Sequence, residues 1–416
     1  MLLRYLIVGV VITILLIVLS YFFVTYCPVG HRIETLSFEA LQGQFSTFDP
    51  KHDLPVVVVD IGAIKTIEPR IDGHKDRGQL LEVIRAIADQ NPQAIGVDIL
   101  FSPKDGQWRT PEDEGFLEEC LKISHEKDVP IFVGVDKEMP LGNPAGWLGS
   151  EKFRPMAATI AVYREDAKRI PLWVKEKSRS EALPSLSFSL SQSVLKHGEK
   201  KPPPPFWLRW AIETIDDLPG RIEESDEIEH AEALVNYSKL GAIQQTDLLT
   251  MSETSVREFG PKFNERVVIL GNGRVALDKF GIPGHLPTSG VYVHASAAYT
   301  LIKEPIYELR WTVRVILDAL FSAFILLTVA RRRWKTDFDW HRYQRRLTWG
   351  VGFVILLLAF FLARIASVLW LDFVVIMLAL LLHPWLEDKI EYLWEKYVSS
   401  PGKTTEKTQI TPVDPG

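Results

Sequence analysis

The sequence predicts an α/β extracytoplasmic domain with a mainly parallel central sheet, joined to four transmembrane α-helices, one N-terminal and three C-terminal. Three observations predict it. Short continuous apolar runs alternate with helical patterns through the middle of the chain, as in parallel sheets covered on both faces. The first 26 residues hold an uncharged run of membrane length, and the last third holds three more apolar runs. The chain has 416 residues, 47% of them hydrophobic and 24% charged, and a mean hydropathy of +0.05. That composition excludes a disordered chain. Two cysteines exclude a disulfide scaffold, and a formal charge of −6 argues against a nucleic-acid binder.

The elements follow in order. Residues 5–24, YLIVGVVITILLIVLSYFFV, span roughly 30 Å as a helix, the thickness of a hydrocarbon core. No small-residue cleavage pattern follows, so the run reads as a retained anchor. Residues 27–310 form the domain outside the membrane. PVVVVDIG (55–62) is a buried strand ending in Asp60, and residues 78–90 have helical spacing. AIGVDILF (94–101) is a second buried strand carrying Asp98. Residues 112–127 form an amphipathic helix and PIFVGV (130–135) a third strand. MAATIAVYRED and AKRIPLWV read as a hairpin turning near Asp166, and LPSLSFSLSQSVLKHG as a helix. KKPPPP (200–205) is a stiff loop. Glu223 to Glu232, with six carboxylates, reads as a solvated excursion. ALVNYS is a short strand, RVVILGN (266–272) a core strand, and SGVYVHASAAYTLI a helix leading to the membrane.

The remaining spans are expected at 311–330, 347–363 and 365–382. The last two are separated by Arg364 alone, or the turn lies near Asp372. The loop 331–346 holds seven basic and two acidic residues, which places it and both termini in the cytoplasm. The tail 383–416 is then cytoplasmic. Within it Leu386, Ile390, Leu393, Trp394 and Tyr397 share one helical stripe, either a docking face or a helix on the inner membrane surface. Arg314 and Asp318 are spaced to pair on one helix face. Cys27 and Cys120 are able to pair outside the cytoplasm, but Cys120 sits among apolar helix positions, as buried thiols do.

VVVVDI, Arg77 before a helix, GVDILF, LVNY, RVVILGN with Asp278 following, and GVYVHASAAYTLI, in that order and within this membrane layout, resemble the type-2 CHASE domain. This is the cyclase/histidine-kinase-associated sensory extracellular domain of bacterial membrane receptors. The resemblance covers roughly residues 5–382. It implies an inner-membrane, multi-pass sensory receptor whose outside domain recognises a small ligand or envelope signal. In that family the last span usually leads into a kinase or cyclase. Here 34 residues follow Leu382, without a phosphate loop or catalytic motif. The expectation is therefore no enzyme activity, no cofactor and relay to a separate cytoplasmic output protein. An envelope assembly protein, whose outside domain binds another protein, is the alternative. Membrane lipid is a partner, nucleic acid is not, and a homo-oligomer is compatible with the pattern.

The candidate ligand-binding residues are Asp60, Asp98, Asn272, Asp278 and His294. The first three lie at carboxyl ends of candidate parallel strands, where α/β sheets bind ligands. Asp278 and His294 follow in the last strand-loop-helix unit. Carboxylates there suit a ligand bearing hydroxyls or amines. Each aspartate has an alternative use capping the next turn, and His294 an alternative as a hydrogen-bonded core residue. Asp72 to Asp76 lacks calcium-loop spacing and reads as a solvated turn. No catalytic or metal site is expected.

Overall fold

A computed structural model of the chain describes residues 18, 28–45, 54–62, 64, 75–101, 110–135, 152–160, 162, 167–177, 182–196, 206–215, 218–224, 228–245, 248–249, 263–273, 279–317, 319–321, 340–370, 389 and 392. The chain divides into two compact units. One comprises 38–309 with 361–369, and the other 1–37, 310–360 and 370–416.

The larger unit is built on a parallel sheet. Its strands are β1 (Val56–Asp60), β2 (Ala94–Leu100), β3 (Ile131–Val135), β4 (Ala157–Thr159), β9 (Leu248–Leu249) and β10 (Val267–Gly271), in the spatial order β9-β1-β10-β2-β3-β4. All five neighbouring pairs are parallel. Valine-rich runs suit such strands because both faces must be covered. Val57, Val59, Ile95, Val97, Val268 and Leu270 pack on one face against helices α2 (Arg77–Ala88) and α3 (Asp113–Lys127). Val56, Val58, Val267 and Ile269 face α4 (Leu186–Lys196), α5 (Leu240–Gln245) and α6 (Gly290–Ile302). The expected α/β class with a mainly parallel sheet is therefore observed.

Two expectations about strands fail. The hairpin at Asp166 does not form: Ala157–Thr159 is the edge strand of the parallel sheet, while β5 (Arg169–Glu176) belongs to a separate antiparallel sheet. That sheet runs β6 (Leu183–Pro184), β5, β8 (Ile228–Leu234), β7 (Arg221–Glu224). The acidic segment read as a solvated excursion supplies β7 and β8. Alternating small residues, Ala231 and Ala233, face the core there, and the buried Glu232 is held by Arg221 at 3.6 Å and His230 at 3.0 Å. Counting carboxylates hid that two-residue period.

Arg77 fixes how the two helices of one face begin. Its Nε donates to Asp113 Oδ1 at 2.7 Å, and both side chains are buried. Asp113 also accepts from the Thr110 N–H and hydroxyl at 3.0 and 2.9 Å. The guanidinium lies 4.5 Å from the Phe101 ring centroid, and that ring stacks on Phe116 at 5.2 Å. Lys75, expected in a solvated turn, is buried and donates to the Gly62 and Ile64 carbonyls, while Asp76 caps α2 through the Gln79 N–H. Residues 72–74 lie outside the described ones. Cys120 is a buried free thiol, pushed up by burial, and Cys27 lies outside the described residues.

In the other unit the helical residues 311–317 and 319–321 follow Arg310, and Phe321 stacks on Trp370 at 6.1 Å. Among the described residues one segment, Trp349–Ala366, is long and apolar enough to cross a membrane. It forms the end of α7 (Trp340–Ala366), which continues through Arg364; the break comes at Ser367, with φ 52°. The first expected span, apart from Val18, and residues 371–382 of the last lie outside the described residues, as do Asp318 and the tail stripe of Leu386, Ile390, Leu393, Trp394 and Tyr397.

Removing Arg77 leaves the buried Asp113 carboxylate without its counter-charge, with the two Thr110 donors remaining. Arg77→Ala is expected to cost about 3–5 kcal/mol, read as a lowered unfolding temperature of the purified full-length protein. Arg77→Ala with Asp113→Ala should cost clearly less than the two single losses added together. Strict additivity would show that the pair is not coupled.

Candidate functional site

The site is built at the carboxyl edge of three adjacent strands. Asp60 pairs in register with Gly271, and Leu270 with Val97, so the next position sets Gly271 beside Asp98. Asp60, Gly271 and Asp98 thus form one row across β1, β10 and β2. All three follow residues of the α4–α6 face in the strand alternation, so they belong to that face. Two strand spacings separate the aspartates, about 10 Å between Cα atoms.

Gly271 between them is required. A Cβ there would meet Val291 Cγ2 at 2.6 Å and Asp98 Cβ at 3.2 Å. The first turn of α6 therefore presses onto the row through Val291, which only a bare backbone at Gly271 allows. On the other side of Asp98 the ladder between β2 and β3 breaks: Val97 pairs with Val133 and Leu100 with Gly134, leaving Asp98 and Ile99 unmatched. This bulge needs Gly134, where a Cβ would lie 2.5 Å from the Ile99 carbonyl oxygen. Bulges of this kind re-aim a side chain at a sheet edge.

The residues of the edge have different fates. Asp60 is buried, and its Oδ1 accepts from the Gly62 and Gly273 N–H groups at 2.8 and 3.2 Å. It ties together the loops that leave β1 and β10, which is the capping role open to a strand-end aspartate. Asn272 stays beside it, since a Cβ on Gly62 would lie 2.9 Å from Asp60 Oδ1 and 3.2 Å from Asn272 Oδ1. The Asn272 carbonyl accepts from Ser289 Oγ at 2.6 Å, which joins this loop to the start of α6. Asp98 differs. It keeps a little accessible surface, and no donor among the described residues reaches it. Loss of surrounding water pushes its carboxyl up to about 7.

His294 is buried one helical turn into α6, with Nδ1 3.0 Å from Ser187 Oγ of α4. The structure gives it to the helix–helix interface rather than to the strand ends. Asp278 lies outside the described residues. Sequence reasoning missed Gly271, Val291 and the bulge. Gly271 was visible as the glycine of RVVILGN, but its use needs the strand order, which puts β10 between β1 and β2.

The arrangement leaves the Asp98 carboxyl at the polar edge of the sheet with no donor among the described residues. Among the described residues no group of side chains is arranged to hold a metal ion. In open α/β sheets ligands bind beyond the carboxyl ends of the strands, the edge where these polar groups gather. The chain belongs to the CHASE2 domain family, a family of sensory extracellular domains, whose model matches residues 11–330, well over half of the sequence. No curated protein matches it, and no solved structure does.

An aspartate whose folded pKa is raised binds its proton more tightly in the folded state. Its favourable contribution is complete below the unfolded value of 3.8 and is lost as pH rises towards about 7. Asp98→Asn should therefore unfold like the wild type near pH 4 and at a higher temperature above pH 7. The upper bound on the gain is about 4 kcal/mol. An equal loss of stability across the range would mean that the carboxylate is satisfied in the folded protein.

Proposed function

We propose that this chain is a membrane-anchored sensory receptor. Its outside domain recognises a small ligand with amine or hydroxyl groups at the carboxyl edge, and the signal passes to a separate cytoplasmic protein. The observation that carries this reading is Asp98: a carboxyl aimed by a bulge, without a described donor, beside the helix that leads towards the membrane. A donor from a ligand meets there a group that the protein itself leaves unserved, and such hydrogen bonds to charged groups are worth about 1.5–3 kcal/mol.

Helix α6 gives the relay a physical form. At one end Val291 sits against Gly271 in the row of aspartates. Thirteen residues make the helix about 20 Å long. At its other end Thr300 Oγ1 accepts from the Asn236 N–H at 2.8 Å, and Glu304 accepts from Asn236 Nδ2 at 2.9 Å. Burial and the nearby Glu304 carboxylate push the Tyr299 phenol up. Four residues later the buried Glu308 forms a two-pronged ion pair with Arg169 of β5. Ligand binding at Asp98 biases two positions of this rod, as any relay requires. The span Trp349–Ala366, the remaining apolar runs and the basic loop 331–346 supply the anchor, with both termini in the cytoplasm. Cytoplasmic contacts are made by that loop or by the Leu386–Tyr397 stripe.

The test is a thermal-unfolding screen of the purified full-length protein against small amines, amino acids and polyols. A ligand at 100 times its Kd should stabilise by about 2.7 kcal/mol, and Asp98→Asn should weaken it by roughly ten- to a hundredfold. A ligand that stabilises both proteins equally removes Asp98 from the site. A screen without hits, together with stable co-purification of an envelope protein, would replace sensing with assembly.

A further inference from the structure

Residues 206–211 form a tight turn with two opposed sides. Phe206–Leu208 is a single 3₁₀ turn, continued by the Ala211 N–H donating to the Leu208 carbonyl at 2.8 Å. Leu208, Ala211 and Ile212 are buried and hold the turn to the domain. Phe206 and Trp210 point the other way, 86% and 66% exposed. Arg209 between them is exposed as well. Two large aromatic side chains in water on a well-anchored turn call for an occupant.

The neighbouring backbone says which. Ile212 bridges Leu309 in antiparallel fashion, and the Glu213 N–H donates to the Glu308 carbonyl at 2.8 Å. On its other side the segment Tyr307–Glu308 pairs in parallel with Val368–Leu369. The Tyr307 N–H also donates to the Ser367 carbonyl at 2.9 Å. Val368 comes two residues after Ala366, where the apolar segment Trp349–Ala366 ends. Ile212, two residues after Trp210, is thus two strand spacings, about 10 Å, from the strand that directly follows a helix of membrane length. The polar zone of a bilayer extends roughly 5–8 Å beyond the hydrocarbon. Exposed side chains near the end of a span come within reach of the headgroups, where Trp is enriched because its ring is apolar and its N–H polar.

We infer that the Phe206–Trp210 turn is a membrane-interface anchor: the exposed aromatic rings insert among the headgroups of the phospholipid leaflet facing the domain, and Arg209 meets the phosphates. The inference rests on the reading of Trp349–Ala366 as a span. Its consequence is that the strand pair 307–308 and 368–369 is pinned to the bilayer surface from a third side, beside the two chain connections.

The test uses the full-length chain in phosphatidylcholine–phosphatidylglycerol nanodiscs, with Cys27 replaced by serine and Cys120 left buried. An environment-sensitive fluorophore is placed singly by Phe206→Cys, Trp210→Cys, Ile222→Cys and Leu357→Cys. Lipids carrying a nitroxide near the headgroup should quench the labels at 206 and 210 about twofold or more, and leave the label at 222 unchanged. Lipids with the nitroxide deep in the chain should quench the label at 357. Quenching at 357, with 206 and 210 reached by an aqueous quencher alone, overturns the anchor and leaves the span intact. Quenching at 206 and 210 without quenching at 357 keeps the lipid contact and removes the span. Labels at 206 and 210 shielded from both quenchers place a protein, a second copy or another partner, on this surface and overturn the proposal.

Discussion

A parallel sheet buried on both faces has no room for polar side chains except at its strand ends, and much of this domain follows from that constraint. Six strands, all parallel, are covered by α2 and α3 on one side and by α4, α5 and α6 on the other. Unpaired polar groups inside such a layer would each cost on the order of 1–3 kcal/mol. Polar chemistry is therefore driven to the carboxyl edge, where loops supply N–H donors. Asp60 uses two of them. Asp98, displaced by the bulge, receives none among the described residues and carries the free-energy penalty as a raised pKa.

The same constraint governs the buried charges elsewhere. Arg77 meets Asp113 over two aromatic rings, and Arg169 meets Glu308. Each pair joins segments far apart in sequence: the first joins the starts of two helices, the second joins the antiparallel sheet to the strand preceding Arg310. Buried pairs add little net stability compared with apolar packing, but they tolerate few alternative arrangements. The two pairs therefore fix which segments meet rather than adding much to the stability of the fold.

Much of the parallel layer was legible in the sequence. Runs such as Val56–Val59 and Val267–Leu270 are too apolar and too short for anything but buried strands, and α2, α3, α4 and α6 fall where helical spacing places them. The strand order was not legible, because nothing local states that β10 inserts between β1 and β2. Without it Gly271 is one glycine among 26, and the alignment of Asp60 with Asp98 stays hidden. The antiparallel sheet was misread for a related reason. Ala157–Thr159 pairs in parallel with β3, 24 positions earlier, instead of with the strand that follows it. The carboxylates of β7 and β8 masked an alternation carried by small residues. His294 illustrates the opposite limit: an apolar helix with one histidine fits a ligand or a core contact equally, and Ser187 decides where its ring sits.

Asp98 stands at the edge of the sheet as a carboxyl that no described donor serves. Carbon-13 NMR of aspartate carboxyl groups in the full-length protein, with Asp98→Asn to assign the resonance, measures its protonation directly. The midpoint should lie near 7 in the unliganded protein. A midpoint at the ordinary aspartate value of about 4 would contradict it, because the carboxyl would then be solvated or already paired, with nothing left for a ligand to supply.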